Sequence, residues 1–441
     1  MNHKIRVMAF IDVEDVQLYR KGGHHPVHLG DVLNDRFEVA HRLGSGGFGI
    51  VWLCYDNVHK KWIAVKIMTA NASEERREEK IYDHLRRRAS PKELAESHLV
   101  VPLEEFWIEG PNGRHLCLVL PVLGGSVKQW RGGLEPRDEM MSRDLKKFCF
   151  QVTEAVRFLH RCGICHGDLK PANILLTVHG IEDMGKEELE ELLGEPEAWE
   201  VETRSGDPPA PRGPEYIVCP PQEQCINAWS MGYAPPEVMF CGKGLRGYYS
   251  DIWSLAVTLF EIRIGDSLFG DSTMQLAVRE IELFLGGLPE PYRAGRFKTL
   301  ASRYGWEDDT EEIAFKLGEP VDVSAWNARP VEWEDYDSLL KGREERNIGG
   351  TDHTNILAAA LGRQRRRYAP DVPGELSRIQ LKYQYPREDV AQLTDLLGQM
   401  IHYDPAKRIR IDDVFDHPWI GGSERLHPIR ELGKTVKVRK Y

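Results

Sequence analysis

The sequence contains no run approaching the roughly 20 consecutive apolar residues that a membrane-crossing helix needs, so no membrane association is expected. Residues 1–12 carry an apolar stretch too short for the core of a secretory signal, which points to a cytoplasmic or nuclear chain. Cysteine is scarce, at 8 of 441 residues, so reduced thiols are expected rather than a disulfide framework. Cys162-Gly163-Ile164-Cys165-His166 spells a C-x-x-C-H haem string. That reading requires an oxidising compartment and a distal ligand, and a larger motif claims His166. The other cysteines lack paired spacing, which excludes a zinc site of the usual kind. There is no excess of positive charge: 58 Lys and Arg against 69 Asp and Glu leave a net charge of −11. That balance speaks against direct nucleic-acid binding and permits a basic partner. No internal repeat is present.

Residues 1–36 read as an extension with a turn-rich stretch, Lys21-Gly22-Gly23-His24-His25-Pro26. Residues 37–66 then alternate short β-rich runs with turns, among them Val51-Trp52-Leu53-Cys54-Tyr55 and Trp62-Ile63-Ala64-Val65-Lys66-Ile67. Residues 73–88 place Ile81, Tyr82 and Leu85 at helical spacing and predict one amphipathic helix. An apolar strand over 116–122 ends at Leu123-Gly124-Gly125. Beyond it helical patterns dominate, with Phe148, Val152, Ala155, Val156 and Leu159 on one face and a buried helix opening at Asp251-Ile252-Trp253. The expected class is α+β: a small β-rich lobe over 37–124, a larger mainly helical lobe over 125–420, and a tail at 421–441. An insertion at about 177–220 interrupts the second lobe. It reads as a short acidic helix followed by a mobile proline-rich connector, Pro208-Pro209-Ala210-Pro211-Arg212-Gly213-Pro214. The basic run Arg363-Gln364-Arg365-Arg366-Arg367 reads as a solvated helix face rather than a nuclear signal.

Three strings carry chemistry. Gly44-Ser45-Gly46-Gly47-Phe48-Gly49-Ile50-Val51 is G-x-G-x-x-G-x-V, a pattern shared by dinucleotide folds, phosphate flaps and plain hairpins. A dinucleotide site needs a helix after the glycines; here a β-branched and aromatic strand follows. A flap of backbone amides over phosphates and an ordinary hairpin both remain open at this point. Fifteen residues past Val51, Lys66 ends an apolar run, Ile63-Ala64-Val65. A lysine there is costly to bury unpaired. It suits a cation gripping phosphates and held by a glutamate, Glu78 in preference to Glu75. The third string, His166-Gly167-Asp168-Leu169-Lys170-Pro171-Ala172-Asn173-Ile174-Leu175-Leu176, is the most specific. Phosphoryl transfer to a hydroxyl needs a carboxylate to orient the nucleophile and take its proton (Asp168), a cation near the transferring group (Lys170), and an oxygen ligand for magnesium (Asn173).

The order and spacing of these strings resemble a eukaryotic protein kinase over about residues 37–420. Pro235-Pro236-Glu237 stands for A-P-E, Asp251 for the aspartate bracing the catalytic loop, and Arg408 for the partner of Glu237. Lysine two residues after Asp168 is of the serine/threonine type. His25-Pro26-Val27-His28-Leu29-Gly30-Asp31-Val32-Leu33-Asn34-Asp35-Arg36-Phe37 resembles the opening motif of the SR-protein-specific kinases, especially their filamentous-fungal relatives, and the acidic insertion resembles the same group. The resemblance implies a bilobal kinase fold, ATP and Mg2+ as cofactors, and basic Arg/Ser-rich protein substrates, with the chain acting as a monomer. It assigns nucleotide contacts to Leu43, Gly44, Ser45, Gly46, Gly47, Phe48, Gly49, Val51, Ala64, Lys66 and Glu78, and magnesium ligation to Asn173. It also makes Leu120 the gatekeeper and gives the adenine contacts to the Pro121 C=O and the Leu123 N–H.

The sequence departs from the family pattern in three places. The flap lacks the family's G-W-G-x-F-S-T-V-W form. Gly167 replaces the arginine that partners a phosphorylated activation loop, so activation by loop phosphorylation is not expected. No Asp-Phe-Gly occurs anywhere, and only about fifteen residues separate Val218 from Pro235-Pro236-Glu237. Asp183-Met184-Gly185 is a poor substitute, because it lies in the acidic insertion with no apolar strand before it. Two readings follow: a pseudokinase, or a gene model lacking an internal segment. Retention of the other catalytic positions favours the second.

Overall fold

The computed structural model describes residues 14–133, 139–201, 208–219, 231–240, 247–270, 274–290, 292–293, 295, 357, 361, 365–370, 378–383 and 387–421. Contacts divide the chain into two compact units, Met1–Gly133 with Ala172–Trp229, and Leu134–Pro171 with Ser230–Tyr441. The first is built on a β-sheet and the second is mainly helical, the α+β class expected. The insertion, read from sequence as part of the second lobe, lies with the first unit.

In the first unit, β1 (Val32–Leu33), β2 (Phe37–Gly46), β3 (Gly49–Asp56), β4 (Lys61–Met68), β5 (Glu104–Gly110) and β6 (Gly113–Leu120) form one sheet in the order β1-β2-β3-β4-β6-β5. Both faces are covered, which is why β3 and β4 read as nearly continuous apolar runs rather than a clean alternation. One face carries Val39, Ile50, Trp52, Cys54, Ile63, Val65, Ile67, Cys117 and Val119. It is covered by Val16, Tyr19 and Val27 of the supposed extension and by Ile217 and Val218 of the insertion. Those insertion residues lie on β10 (Tyr216–Val218), which pairs with β9 (Ala198–Glu200). The stretch expected to be a mobile connector is therefore anchored where described: Asn112 Nδ2 donates to the Arg212 C=O at 2.7 Å, and Gly213 N–H bonds to the Pro209 C=O. Residues 116–122 also do not end in a turn. The chain passes Pro121 and Val122 into β7 (Leu123–Ser126), which pairs with β8 (Leu175–Thr177).

Arg42 on β2 is fully buried. Its guanidinium lies 2.8 Å from the buried Glu14 carboxylate and donates to the Val218 C=O at 3.1 Å, and the Tyr19 hydroxyl donates to Glu14 at 2.6 Å. These bonds tie the segment before β1 and the end of β10 to the sheet. Nearby, His25 and His115 meet edge to face with ring centroids 5.0 Å apart. Burial first, and then the His115 charge, pushes His25 down to about 4, and burial also lowers His24 and His115. Between pH 6.5 and about 4 the unfolded chain takes up protons that the folded one resists, so stability is fully present above pH 6.5 and falls as the pH drops toward 4. Urea midpoints measured at pH 7.5 and 5 are expected to differ in that sense, and His25→Gln is expected to shrink the difference.

The helix predicted over 73–88 is two. α1 (Ala70–Glu75) and α2 (Arg77–Arg88) are separated by Arg76 at φ +50°. A non-glycine residue rarely adopts that conformation, and no glycine or proline announces it. α3 (Pro91–Glu96) follows behind a Ser90/Glu93 capping box, and α4 (Val127–Gly133) closes the segment.

In the second unit, α5 (Glu139–Arg161) buries Leu145, Val152, Val156 and Leu159. α7 (Pro236–Phe240), α8 (Tyr248–Ile264) and α9 (Met274–Leu285) follow, with α10 (Arg387–Met400), α11 (Ile411–Asp416) and α12 (Pro418–Gly421) near the end. Every residue of α8 from Ser250 to Ile264 is buried, which marks it as the central helix of the unit. Arg365–Arg367, read as a helix face, lie instead in β11 (Arg365–Pro370), paired with β12 (Arg378–Tyr383). Arg363 and Gln364 lie outside the described residues. No described helix is long and apolar enough to cross a membrane.

Candidate active site

The predicted site residues fall into two sets, one in each unit. In the first unit, Gly44, Ser45 and Gly46 end β2 and pair with Val51, Ile50 and Gly49 of β3, leaving Gly47 and Phe48 as a two-residue turn. Phe48 is exposed. A Cβ at Gly49 would meet the Ile67 carbonyl oxygen at 2.4 Å, so close backbone packing against β4 explains that glycine. A Cβ at Gly46 or Gly47 would meet nothing within 4 Å. No internal packing demands those two, and bare backbone facing open space suits a flap over phosphates. Leu43 sits at a β-bulge between Arg42 and Gly44.

Lys66 lies opposite Val51, and Ala64 lies opposite both Leu53 and Leu120. Lys66 Nζ is 2.7 and 3.0 Å from the two carboxylate oxygens of Glu78, and both side chains keep 26% of their exposure. The break at Arg76 puts Glu78 in the first turn of α2, where a carboxylate is favoured by the helix dipole. Glu75, the rejected alternative, pairs with Arg77. Leu120 is the last residue of β6, Pro121 is exposed, and Leu123 opens β7 opposite Thr177. Asn173 ends a 3-10 turn, Pro171–Asn173, and is exposed.

In the second unit, the loop after α5 is held by one carboxylate. Asp251 on α8 accepts the His166 N–H at 2.7 Å and the Gly167 N–H at 2.9 Å, and His160 Nε2 lies 2.9 Å from it. Gly167 has φ +75°, a conformation glycine adopts without steric cost. His166 Nδ1 accepts the Asp168 N–H at 3.3 Å, and desolvation holds the ring below its ordinary value. The backbone on both sides of Asp168 is thereby fixed, with Leu169 buried beyond it. The Asp168 carboxylate itself stays 67% exposed, and Lys170 Nζ lies 3.4 Å from it. This is an accessible acceptor with a cation at its side, on a braced loop. Of the three catalytic candidates the structure joins Asp168 and Lys170; Asn173 groups with the other unit.

Also in the second unit, Arg408 and Glu237 form a two-pronged pair at 2.6 and 2.8 Å, as the sequence predicted. Sequence reasoning missed His160 as a partner of Asp251, and nothing in its spacing marks it. It also missed Trp62, whose indole N–H and backbone N–H bond to the carbonyls of Met184 and Glu182. These bonds place Asp183-Met184-Gly185 in the docked insertion at the start of β4, with Asp183 exposed. Most of the interval where an Asp-Phe-Gly would fall, 220–230, lies outside the described residues.

A protein kinase domain model matches residues 37–188 and 219–420, and the chain belongs to the protein kinase family. Within that family it is similar to the SR-protein kinases. It is 36% identical over 177 residues to the serine/threonine-protein kinase spk-1 of Caenorhabditis briggsae, covering 37% of this chain and 15% of that protein. To SRSF protein kinase 3 of Homo sapiens it is 34% identical over 222 residues, covering 48% and 35%. To the serine/threonine-protein kinase SRPK of Physarum polycephalum it is 24% identical over 451 residues, covering 92% and 91%. The matched part is thus well under half the length of the first two relatives.

Proposed function

We propose that the protein is an ATP-binding serine/threonine kinase of the SR-protein-kinase type, acting on basic Arg/Ser-rich proteins in the cytoplasm or nucleus. The observation that carries this reading is the Lys66–Glu78 pair, a preformed phosphate-gripping cation on the sheet face that also bears Val51 and Ala64. The glycine flap, with open space at Gly46 and Gly47, fits the same ligand. When bound, ATP supplies the phosphoryl group. Lys66 would hold its phosphates and Leu43, Val51, Ala64 and Leu120 its base, while Asp168 would orient a serine hydroxyl and accept its proton. The net charge of −11 suits a basic substrate, and the human relative bears the name SRSF protein kinase.

Asn173 is the one magnesium ligand that the motif assigns, and the Asp-Phe-Gly carboxylate that would join it is absent from the sequence. The same observation favours a second reading for this polypeptide, a non-catalytic kinase fold that binds nucleotide or basic peptides.

Nucleotide binding is tested by thermal shift. ATP is expected to raise the unfolding temperature of the chain, and Lys66→Met to cut that rise sharply while leaving the ligand-free value close to wild type. An equal rise in the variant would remove Lys66 from the site.

A further inference from the structure

On one face of the first unit's sheet, β3 contributes Val51, Leu53 and Tyr55, and β4 contributes Lys66, Ala64 and Trp62 directly opposite them. The nucleotide-assigned Val51, Ala64 and Lys66 therefore continue without a break into Leu53, Tyr55 and Trp62. The insertion covers these last three. α6 (Lys186–Leu193) brings Leu189 into a buried cluster with Leu53, Trp62 and Val122. Ile181, Met184 and Leu193 pack against it, as does Leu43.

Trp62 lies beyond the end of the β4–β6 ladder, which runs only from Ala64 to Ile67, and the insertion takes up its N–H groups. Lys186 fastens the helix from the other side. It bonds to Glu38 at 2.7 Å, holding that carboxyl below its ordinary value, and its ammonium lies 4.7 Å from the centre of the Tyr55 ring. Two members of this shared core matter for nucleotide. Leu43 immediately precedes the glycine flap. Val122 sits between Pro121 and Leu123, whose backbone groups would meet adenine.

We infer that the acidic insertion is a wall of the nucleotide site: docked on Trp62 and Val122, it holds Leu43 and the 121–123 hinge in place and raises affinity for the adenine end of the ligand. The inference rests on the nucleotide reading above, and it makes Trp62 and Leu189 positioning residues. Apart from Leu43, the docking contacts fall at the end of β3 and β4 away from the Gly44–Gly49 hairpin and the Lys66–Glu78 pair, so the phosphate grip is spared. Coupling of this kind is reciprocal: what the docked insertion gives to binding, the bound base gives back to docking.

The test compares ATP and adenosine binding by calorimetry in the full chain and in Leu189→Asp, Trp62→Phe and Lys66→Met. Leu189→Asp is expected to weaken both ligands about tenfold. Trp62→Phe, which removes the indole N–H and part of the ring's apolar surface, should weaken both by less. Lys66→Met should weaken ATP and leave adenosine unchanged. Adenosine should also slow amide hydrogen exchange along α6 in the wild-type chain. Should Leu189→Asp fail to fold, Trp62→Phe and the exchange measurement decide, because the first keeps an apolar ring against α6 and the second needs no substitution. Normal wild-type binding with unaltered adenosine affinity in Leu189→Asp and Trp62→Phe, or exchange in α6 indifferent to adenosine, overturns the role of the insertion alone. A wild-type chain that binds neither ligand overturns the nucleotide reading, and this inference with it.

Discussion

Phosphate incorporation into an arginine/serine-repeat peptide is expected to be at or near background for the chain as it stands. It should rise by about 10²–10³-fold when a strand plus Asp-Phe-Gly is inserted between Val218 and Gly232, the scale on which one preorganised group acts. The loop around Asp168 needs no repair, because Asp251 already holds the His166 and Gly167 N–H groups and Lys170 stands 3.4 Å from the Asp168 carboxylate. What is missing is the carboxylate that would hold a magnesium ion against the phosphates, which the neutral Asn173 amide cannot replace. Asp168→Asn in the restored chain should return incorporation to background, since the hydroxyl loses its proton acceptor. Radiolabel counts from the three proteins decide the matter, with the restored chain well above both others. Strong incorporation by the unmodified chain that disappears on Asp183→Ala would instead make Asp183-Met184-Gly185 the metal site. Its exposed position beside the Trp62 anchors argues against that outcome.

Glu237→Ala is expected to produce a large loss of stability, well beyond that of an ordinary surface substitution. Arg408 is fully buried, and its two-pronged contact with Glu237 is joined by bonds from the guanidinium to the carbonyls of His402 and Tyr249. Replacing the whole pair by apolar residues could be nearly neutral. Removing only the carboxylate leaves a desolvated cation, which costs about 3–5 kcal/mol. For a unit of this size that corresponds to a fall of roughly 10 °C in the unfolding transition, read by calorimetry on the ligand-free chain. Glu237→Ala and Arg408→Leu combined should recover part of the loss. A combined variant as unstable as Glu237→Ala alone would place the cost elsewhere than in the stranded charge.

Local patterns made much of the molecule legible. The β3 and β4 strands, the long α5 face and the glycine hairpin follow from spacing and residue type. The identities of Lys66 and Asp168 follow from the chemistry that phosphoryl transfer demands. The reading failed where a segment's partner is distant in sequence. Arg76 breaks a helix with no glycine or proline to signal it, so the first turn of α2, and with it the placement of Glu78, emerges only from the folded chain.

The insertion shows the same division. Its sequence determined an acidic helix and a proline-rich stretch, because charge and turn residues act locally. Only the tertiary structure decided that both belong to the sheet unit. Trp62 extends past the last residue of β6 with bonding groups to satisfy, and Leu53, Trp62 and Val122 present apolar surface that Leu189 can cover. Burying that surface and satisfying those donors requires residues more than a hundred positions apart to meet, and no local pattern records such a pairing.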